Sequence, residues 1–473
     1  MKNVEELFRP ALEKALSGGL AHLAGLDSAP VASAAGLETL RGRFGRELGA
    51  EGVPALQVVE DLLRDVEGGL LGSAGGRFYG WVIGGSLPAA LAADWLTSAW
   101  DQNAGLYACG PAAAVAEEVA GGWLKELFGL PAGASFGLTT GCQMAHATCL
   151  AAARHALLAS RGIDVEEEGL AGAPPIRILT SRNRHASFER AVRLVGIGRG
   201  RIEVLESDQH DRLVPASLEA ALAADHEAPT IVLLQAGDVN IGSCDDFASL
   251  IPLARDRGAW IHVDGAFGLW AATSPRLRHL VAGVELADSW ATDGHKWLNV
   301  PYDCGYAFVA EPAAHRGAMS HRAPYLTHDA AGARDQMDWN PEFSRRARGF
   351  ATYAALRQLG RDGVAALVES SCHHAAELVR RIGELPGAEV VWTPTLNQGL
   401  LRFPDPRPEA GEEDHDRHTE ATIAAILATG EAFFGPSTWR GKRVMRVSVS
   451  GWQTTGEDVD RVVAAVAGVL RAP

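Results

Sequence analysis

The sequence predicts an α/β protein whose core is a mostly parallel sheet covered by helices on both faces. Three observations carry this reading. Short β-branched or apolar runs alternate with helical stretches between about residues 176 and 309. The stretch before them, residues 1–72, instead places apolar residues such as Leu56, Val59, Leu62, Leu63 and Val66 at helical spacing. After residue 349 a long helical pattern gives way to short strands, as in a separate, smaller α/β unit. The expected organisation is a helical N-terminal segment (1–72), a large domain (73–348) and a small C-terminal domain (349–473).

Taken in order, residues 73–105 are rich in Gly, Trp and Tyr and read as a loop lining something. A helix follows over about 111–127. Strands are expected at 176–180, 202–205, 230–235, 260–263, 289–292 and 305–309, with helices at 143–158 and 247–257 between some of them. The last third offers a helix over 351–385 and strands near 390–392, 399–403 and 444–448. Residues 404–419 are polar and acidic and read as a solvated loop, so His415 and His418 are not taken as metal ligands.

Composition narrows the function. The chain has 473 residues, 47% of them hydrophobic and 21% charged, and a formal net charge of −15. That charge argues against a nucleic-acid or anionic-membrane partner. Six scattered cysteines form no CxxC pair, which fits reduced thiols in a cytoplasmic protein and no metal site. Charges among the first thirty residues argue against a signal peptide, and no uncharged run of eighteen apolar residues is present.

In parallel α/β sheets, polar residues just past strand ends point into the ligand crevice. Four features sit there. The turn Thr139-Thr140-Gly141-Cys142-Gln143-Met144 opens a helix, where backbone N–H groups favour phosphate; a plain strand-to-helix turn looks the same. His185 follows the 176–180 strand, and a lone histidine is often structural. Asp264 ends a buried strand, where a carboxylate is costly unless paired. It can be a helix cap, or the partner of a buried cation such as a protonated pyridine nitrogen. Lys296 follows another buried strand beside His295 and Trp297. Desolvation there is expected to lower its pKa and make it a Schiff-base nucleophile. Together, an anion-binding turn, an aspartate and a lysine supply the three anchors that pyridoxal 5'-phosphate (PLP) needs: for its phosphate, its pyridine nitrogen and its aldehyde carbon.

At these residues the sequence resembles the group II PLP-dependent amino-acid decarboxylases, which include aromatic-L-amino-acid, glutamate and histidine decarboxylases. The DxHKW signature is matched by Asp293, His295, Lys296 and Trp297, and HVDAA by His262-Val263-Asp264-Gly265-Ala266. HxSxERA is matched by His185, Ser187, Glu189, Arg190 and Ala191. The resemblance implies the PLP-dependent transferase fold of type I and a homodimer. It implies that Lys296 carries PLP covalently, that Asp264 pairs with the ring nitrogen, and that His185 and Ala266 cover the two ring faces. His295, with the backbone of Cys142 and Gln143, would hold the phosphate, and Asp293 would also bind the cofactor. Tyr325, on a loop reaching a neighbouring subunit, would return a proton to Cα.

The chain also departs from the family. The phosphate turn reads TTGCQMAH where many relatives have TSGGTEAN, so Gln143 replaces a hydroxyl residue and Met144 replaces an acid. The expected reaction is decarboxylation of an L-amino acid to its amine and CO2. Phe78, Tyr79, Trp81 and Trp100 lean towards an aromatic substrate. An aldehyde synthase, an aminotransferase or an inactive PLP-binding homologue would keep the same anchors.

Overall fold

The computed structural model describes residues 4–321 and 332–471. Its central sheet has seven strands: β2 (Ser135–Thr139), β3 (Arg177–Thr180), β4 (Ile202–Val204), β5 (Thr230–Gln235), β6 (Trp260–Asp264), β7 (Ser289–Asp293) and β8 (Gly305–Val309). Their order is β2-β8-β7-β6-β5-β3-β4, and β8 alone runs antiparallel to its neighbours. Alternation along β5 shows why the sheet is covered twice. Ile231 and Leu233 join one apolar core, while Val232 and Leu234 join the other.

The same period of two aims Trp260, His262 and Asp264 of β6 at one face, and the helix Cys142–Ala159 packs across that face. This packing brings the anion-binding turn and the β6 aspartate together.

A second sheet holds β1 (Phe78–Tyr79), β9 (Glu389–Trp392), β10 (Gln398–Arg402), β11 (Phe433–Trp439) and β12 (Lys442–Ser448), in the order β1-β11-β12-β10-β9. The long helix Gly349–Gly383 serves both sheets, packing on the helices Pro88–Trp100 and Pro111–Phe128 and further on against Gly456–Arg471. Gly360, at φ 63°, breaks its regular conformation partway.

Three expectations change. Residues 73–105 are not all loop: Pro88–Trp100 is a helix with proline in its first turn. Phe78 and Tyr79 form β1, with Phe78 stacked on Phe433 at 4.6 Å and Tyr79 against Phe434 at 5.3 Å. They are core residues of the second sheet, which removes them as an argument for an aromatic substrate. The acidic stretch 404–419 runs into the helix Glu412–Ala428. There Glu412 and Asp416 pair with the buried Arg402, His415 Nδ1 accepts from Asp405 N (3.0 Å) and His418 Nδ1 donates to Phe403 O (2.9 Å). Both histidines tie the helix to the segment that follows β10.

At the N-terminus the helix Val4–Gly25 packs on Ala55–Asp65 yet buries none of its own residues. Leu7, Phe8, Leu12, Leu16, Leu20 and Leu23 all stay exposed. Among the described residues no helix is long and apolar enough to cross a membrane.

Candidate active site

The ends of β2, β6 and β7 converge. Gly141, at φ 142°, turns the chain from β2 into its helix, and a side chain there would press on the His295 ring. The turn therefore delivers the Cys142 amide to Asp293 Oδ1, at 2.6 Å. Asp293 Oδ2 lies 2.9 Å from Lys296 Nζ, and His295 Nε2 lies 3.5 Å from Oδ1. His295 Nδ1 accepts from Cys304 N (3.1 Å), which leaves the proton of the neutral ring on Nε2, facing that corner. Tyr302 stacks on the His295 ring at 4.3 Å.

Two expectations are corrected here. The Cys142 amide does not face an open phosphate position; it is taken by the Asp293 carboxylate, the nearest anion to the positive end of the helix. Nor is the Lys296 pKa lowered. Burial pulls it down, but Asp293, with Cys142 and Asp264 behind it, overrides burial and the net direction is upward. Lysine and aspartate form an ion pair.

Asp264 is buried at the end of β6. Its Oδ1 accepts from Ala266 N (3.1 Å) and its Oδ2 lies 3.5 Å from His146 Nε2. Burial would raise its pKa, yet His146, His185 and the Ala266 amide hold it well below the usual carboxylate range, so it is ionised. Ala266 also accepts from Asp293 N (3.1 Å), which locks the β6 and β7 ends together.

His185 caps the helix Ala186–Leu194. Its Nδ1 accepts from Ser187 N (3.2 Å) and meets Ser187 Oγ at 2.7 Å, which leaves Nε2 to carry the proton. One edge of the ring is open to solvent, but the protein around it still lowers its pKa. Desolvation leads, and Lys296, His146 and Arg446 oppose Asp264. Those charges surround the crevice. Gln143 lines a cavity of about 330 Å³ beside His185. Tyr325 lies outside the described residues.

Three residues here escaped the sequence reading. His146 is buried, and its Nδ1 meets His262 Nε2 at 2.8 Å; His262 Nδ1 meets Ser289 Oγ at 2.9 Å. The alternation of His262 with Asp264 was a signal that something polar faces them. Arg446, half-buried on β12, donates to Val239 O at 2.6 Å, and its charge reaches His185 from the second sheet. Asn299, fully buried at φ 54°, donates to Trp297 O and Ser450 O, both at 2.9 Å. Little in its sequence context marks it.

The site fits PLP. An ionised buried carboxylate suits a protonated pyridine nitrogen, a lysine suits the aldehyde, and a helix N-terminus with His295 Nε2 suits the phosphate. Thr180 Oγ1, Ser181 Oγ and Gln235 Nε2 are buried without hydrogen-bond partners at the ends of β3 and β5. Gln235 pairs in register with Asp264. Such orphaned groups are costly unless a ligand satisfies them.

Comparison with known proteins agrees. Residues 42–403 match the pyridoxal-dependent decarboxylase conserved domain. The chain is 24% identical to an aromatic-L-amino-acid decarboxylase of Bacillus atrophaeus, across 94% of this chain and 92% of that protein. It is 29% identical to an L-2,4-diaminobutyrate decarboxylase of Rhizobium meliloti (strain 1021), across 81% and 75%. In fold it superposes on Oryza sativa TDC, solved with PLP and tryptamine, at a TM-score of 0.92 and 23% identity, covering 99% of this chain and 98% of that one.

Proposed function

Since this chain belongs to the pyridoxal-dependent decarboxylase family, we propose that it is a PLP-dependent carboxy-lyase that converts an aromatic L-amino acid to its amine and CO2. The observation that carries this is an ionised Asp264 at the end of β6 next to the Lys296–Asp293 ion pair at the end of the neighbouring β7. The aromatic side chain of the substrate rests on the relative from Bacillus atrophaeus.

When bound, PLP supplies an electron sink, through its ring nitrogen, for the bond that breaks at Cα. The residues of this chain do the rest. Asp264 keeps a negative charge beside that nitrogen. Asp293, 2.9 Å from Lys296 Nζ, would hold that nitrogen where the cofactor aldehyde is bound and balance its positive charge. His295 Nε2 and the Gln143 amide would donate to the phosphate, and His185 and Ala266 would flank the ring. Arg446 offers its guanidinium to the substrate carboxylate, the planar match that arginine makes best. Tyr325 protonates Cα, a role taken from the family resemblance alone.

The apolar stripe from Leu7 to Leu23, too large to leave in water, supports a homodimer. Six free cysteines support a reducing, cytoplasmic setting. The test is a substrate screen of the twenty amino acids plus ornithine and 2,4-diaminobutyrate, reading amine, CO2, aldehyde and peroxide together. Amine and CO2 in equal amounts from an aromatic amino acid is the expected result. Aldehyde with peroxide as the main products, or turnover of 2,4-diaminobutyrate alone, would overturn it.

A further inference from the structure

Cys142, His146 and Asp264 form a buried group in which one ligand atom from each (a sulfur, a ring nitrogen and a carboxylate oxygen) lies within 4.8 Å of the others. The Sγ–Nε2 distance is 3.4 Å and the Nε2–Oδ2 distance 3.5 Å. Both distances match an edge of a coordination tetrahedron. Zinc bonds of ~2.3 Å to sulfur and ~2.0–2.2 Å to nitrogen and oxygen place neighbouring ligand atoms about 3.3–3.6 Å apart.

We propose that the cofactor-free protein binds one zinc-class divalent ion on Cys142, His146 and Asp264, and that this ion and PLP exclude each other. The exclusion rests on the reading of Asp264 as the partner of the ring nitrogen; the binding itself does not.

The surroundings are built as a metal site's outer shell is. His146 can offer Nε2 because its Nδ1 is engaged by His262 Nε2 at 2.8 Å. The chain continues from His262 Nδ1 to Ser289 Oγ at 2.9 Å, and Trp260 Nε1 donates to the same oxygen at 2.9 Å. A ligating histidine held through its other nitrogen is the usual way a protein fixes tautomer and ring orientation at a metal.

Charge and softness agree. A thiolate and a carboxylate neutralise a dication, while the nearby Lys296 is already neutralised by Asp293. Binding displaces the Cys142 thiol proton to water as the metal–sulfur bond forms, with no change of oxidation state. Sulfur with imidazole selects zinc, and cobalt as its probe, over magnesium or calcium. Exclusion follows from Asp264: a carboxylate bound to a dication no longer stabilises a protonated pyridine, and the metal charge repels it. Two of the ligands are four residues apart and the third more than a hundred away, so no spacing motif announces the site.

The experiment uses the full-length protein in two forms: stripped of PLP, and with PLP fixed by borohydride. Each is titrated with zinc chloride and, in parallel, cobalt chloride. Bound metal is counted after gel filtration, and the cobalt–thiolate absorption band is recorded. The expected result is one zinc per chain in the stripped protein, none in the fixed protein, and PLP reloading that slows as zinc is added. Cys142→Ala should lose the cobalt–sulfur band. His262→Gln should weaken zinc by roughly 10–100-fold, the usual cost of an outer-shell loss. Circular dichroism and melting establish that both variants fold; if one does not, the band and stoichiometry of the unmutated protein still decide the matter. Less than one zinc per chain in the stripped protein, or an unchanged band in folded Cys142→Ala, overturns the site. Equal zinc in stripped and fixed protein overturns the exclusion. Borohydride fixing no PLP at Lys296 would instead overturn the cofactor reading, and the zinc count on stripped protein would stand by itself.

Discussion

Asn299 reaches across to Ser450: its Nδ2 donates to the Ser450 carbonyl at 2.9 Å, and its Oδ1 accepts from Trp452 N at 3.0 Å. The same Nδ2 faces the carbonyls of Lys296 and Trp297. One buried amide therefore joins the lysine turn to the segment that follows β12. Asn299→Ala should strand several buried polar groups and lower stability by about 2–3 kcal/mol. PLP should also leave the variant faster, because the turn carrying Lys296 loses its tie. Thermal melting and the rate of PLP loss into a trapping buffer measure the two effects, and an unchanged release rate would reduce Asn299 to a purely structural role.

Lys296 is expected to be the only lysine that borohydride links to PLP. Peptide mapping reads this directly, and Lys296→Ala should give no fixed cofactor and no turnover. A labelled peptide carrying any other lysine would end the proposed assignment.

Asp264→Ala removes the anion beside the ring nitrogen. Each pKa unit lost there is worth about 1.4 kcal/mol, so a loss of several units slows turnover by a few orders of magnitude. Absorbance of the bound cofactor against pH should shift at the same time. Near-normal turnover would mean that another group serves the nitrogen.

His315 makes a pH prediction away from the site. Its Nδ1 meets Ser135 Oγ at 2.9 Å and its Nε2 donates to Trp339 O at 3.0 Å. Burial, with Arg334 adding to it, pushes its pKa down to about 3. The unfolded chain, with an ordinary histidine pKa near ~6.5, takes up the proton first as pH falls. Stability is therefore lost between about pH 6.5 and 3, by on the order of 1 kcal/mol per pH unit for this group. His315→Gln should melt with a shallower acid dependence than the parent over that window. An equal slope would show that His315 is not a source of the acid sensitivity.

Leu12→Lys and Phe8→Glu place charges on the exposed stripe of the first helix. If that stripe is the dimer face, sedimentation should show monomers, and activity should fall with the loss of the partner. Dimers of unchanged affinity would move the interface elsewhere.

Much of this was legible because two physical rules agree. β5, β6 and β7 are short apolar runs, and the polar residues at their ends, Asp264 and Asp293, with Lys296 just beyond, are those a crevice would use. β2 escaped because Ser135, Gly137 and Thr139 interrupt its apolar pattern. β11 escaped because it contains Gly435 and Pro436. The proline is tolerated since β1 pairs only with Phe433 and Phe434, leaving no ladder bond on that side for Pro436 to miss. His146 and Asn299 were invisible for another reason: each acts through neighbours distant in sequence. The Lys296 pKa was misjudged because burial was weighed without the counter-ion that only the fold supplies.

The pairing of β1 with β11 also bears on how the chain is assembled. Phe78 and Tyr79 leave the ribosome long before Phe433 and Phe434 exist, so they must wait for their partners while the seven-stranded sheet forms between them. Until they dock, β11 has an open edge of unpaired backbone groups, the kind of edge that recruits strands from other chains. A fragment beginning at residue 349 would carry that edge permanently. It should aggregate when expressed alone, and a synthetic peptide spanning Phe78 and Tyr79 should restore its solubility.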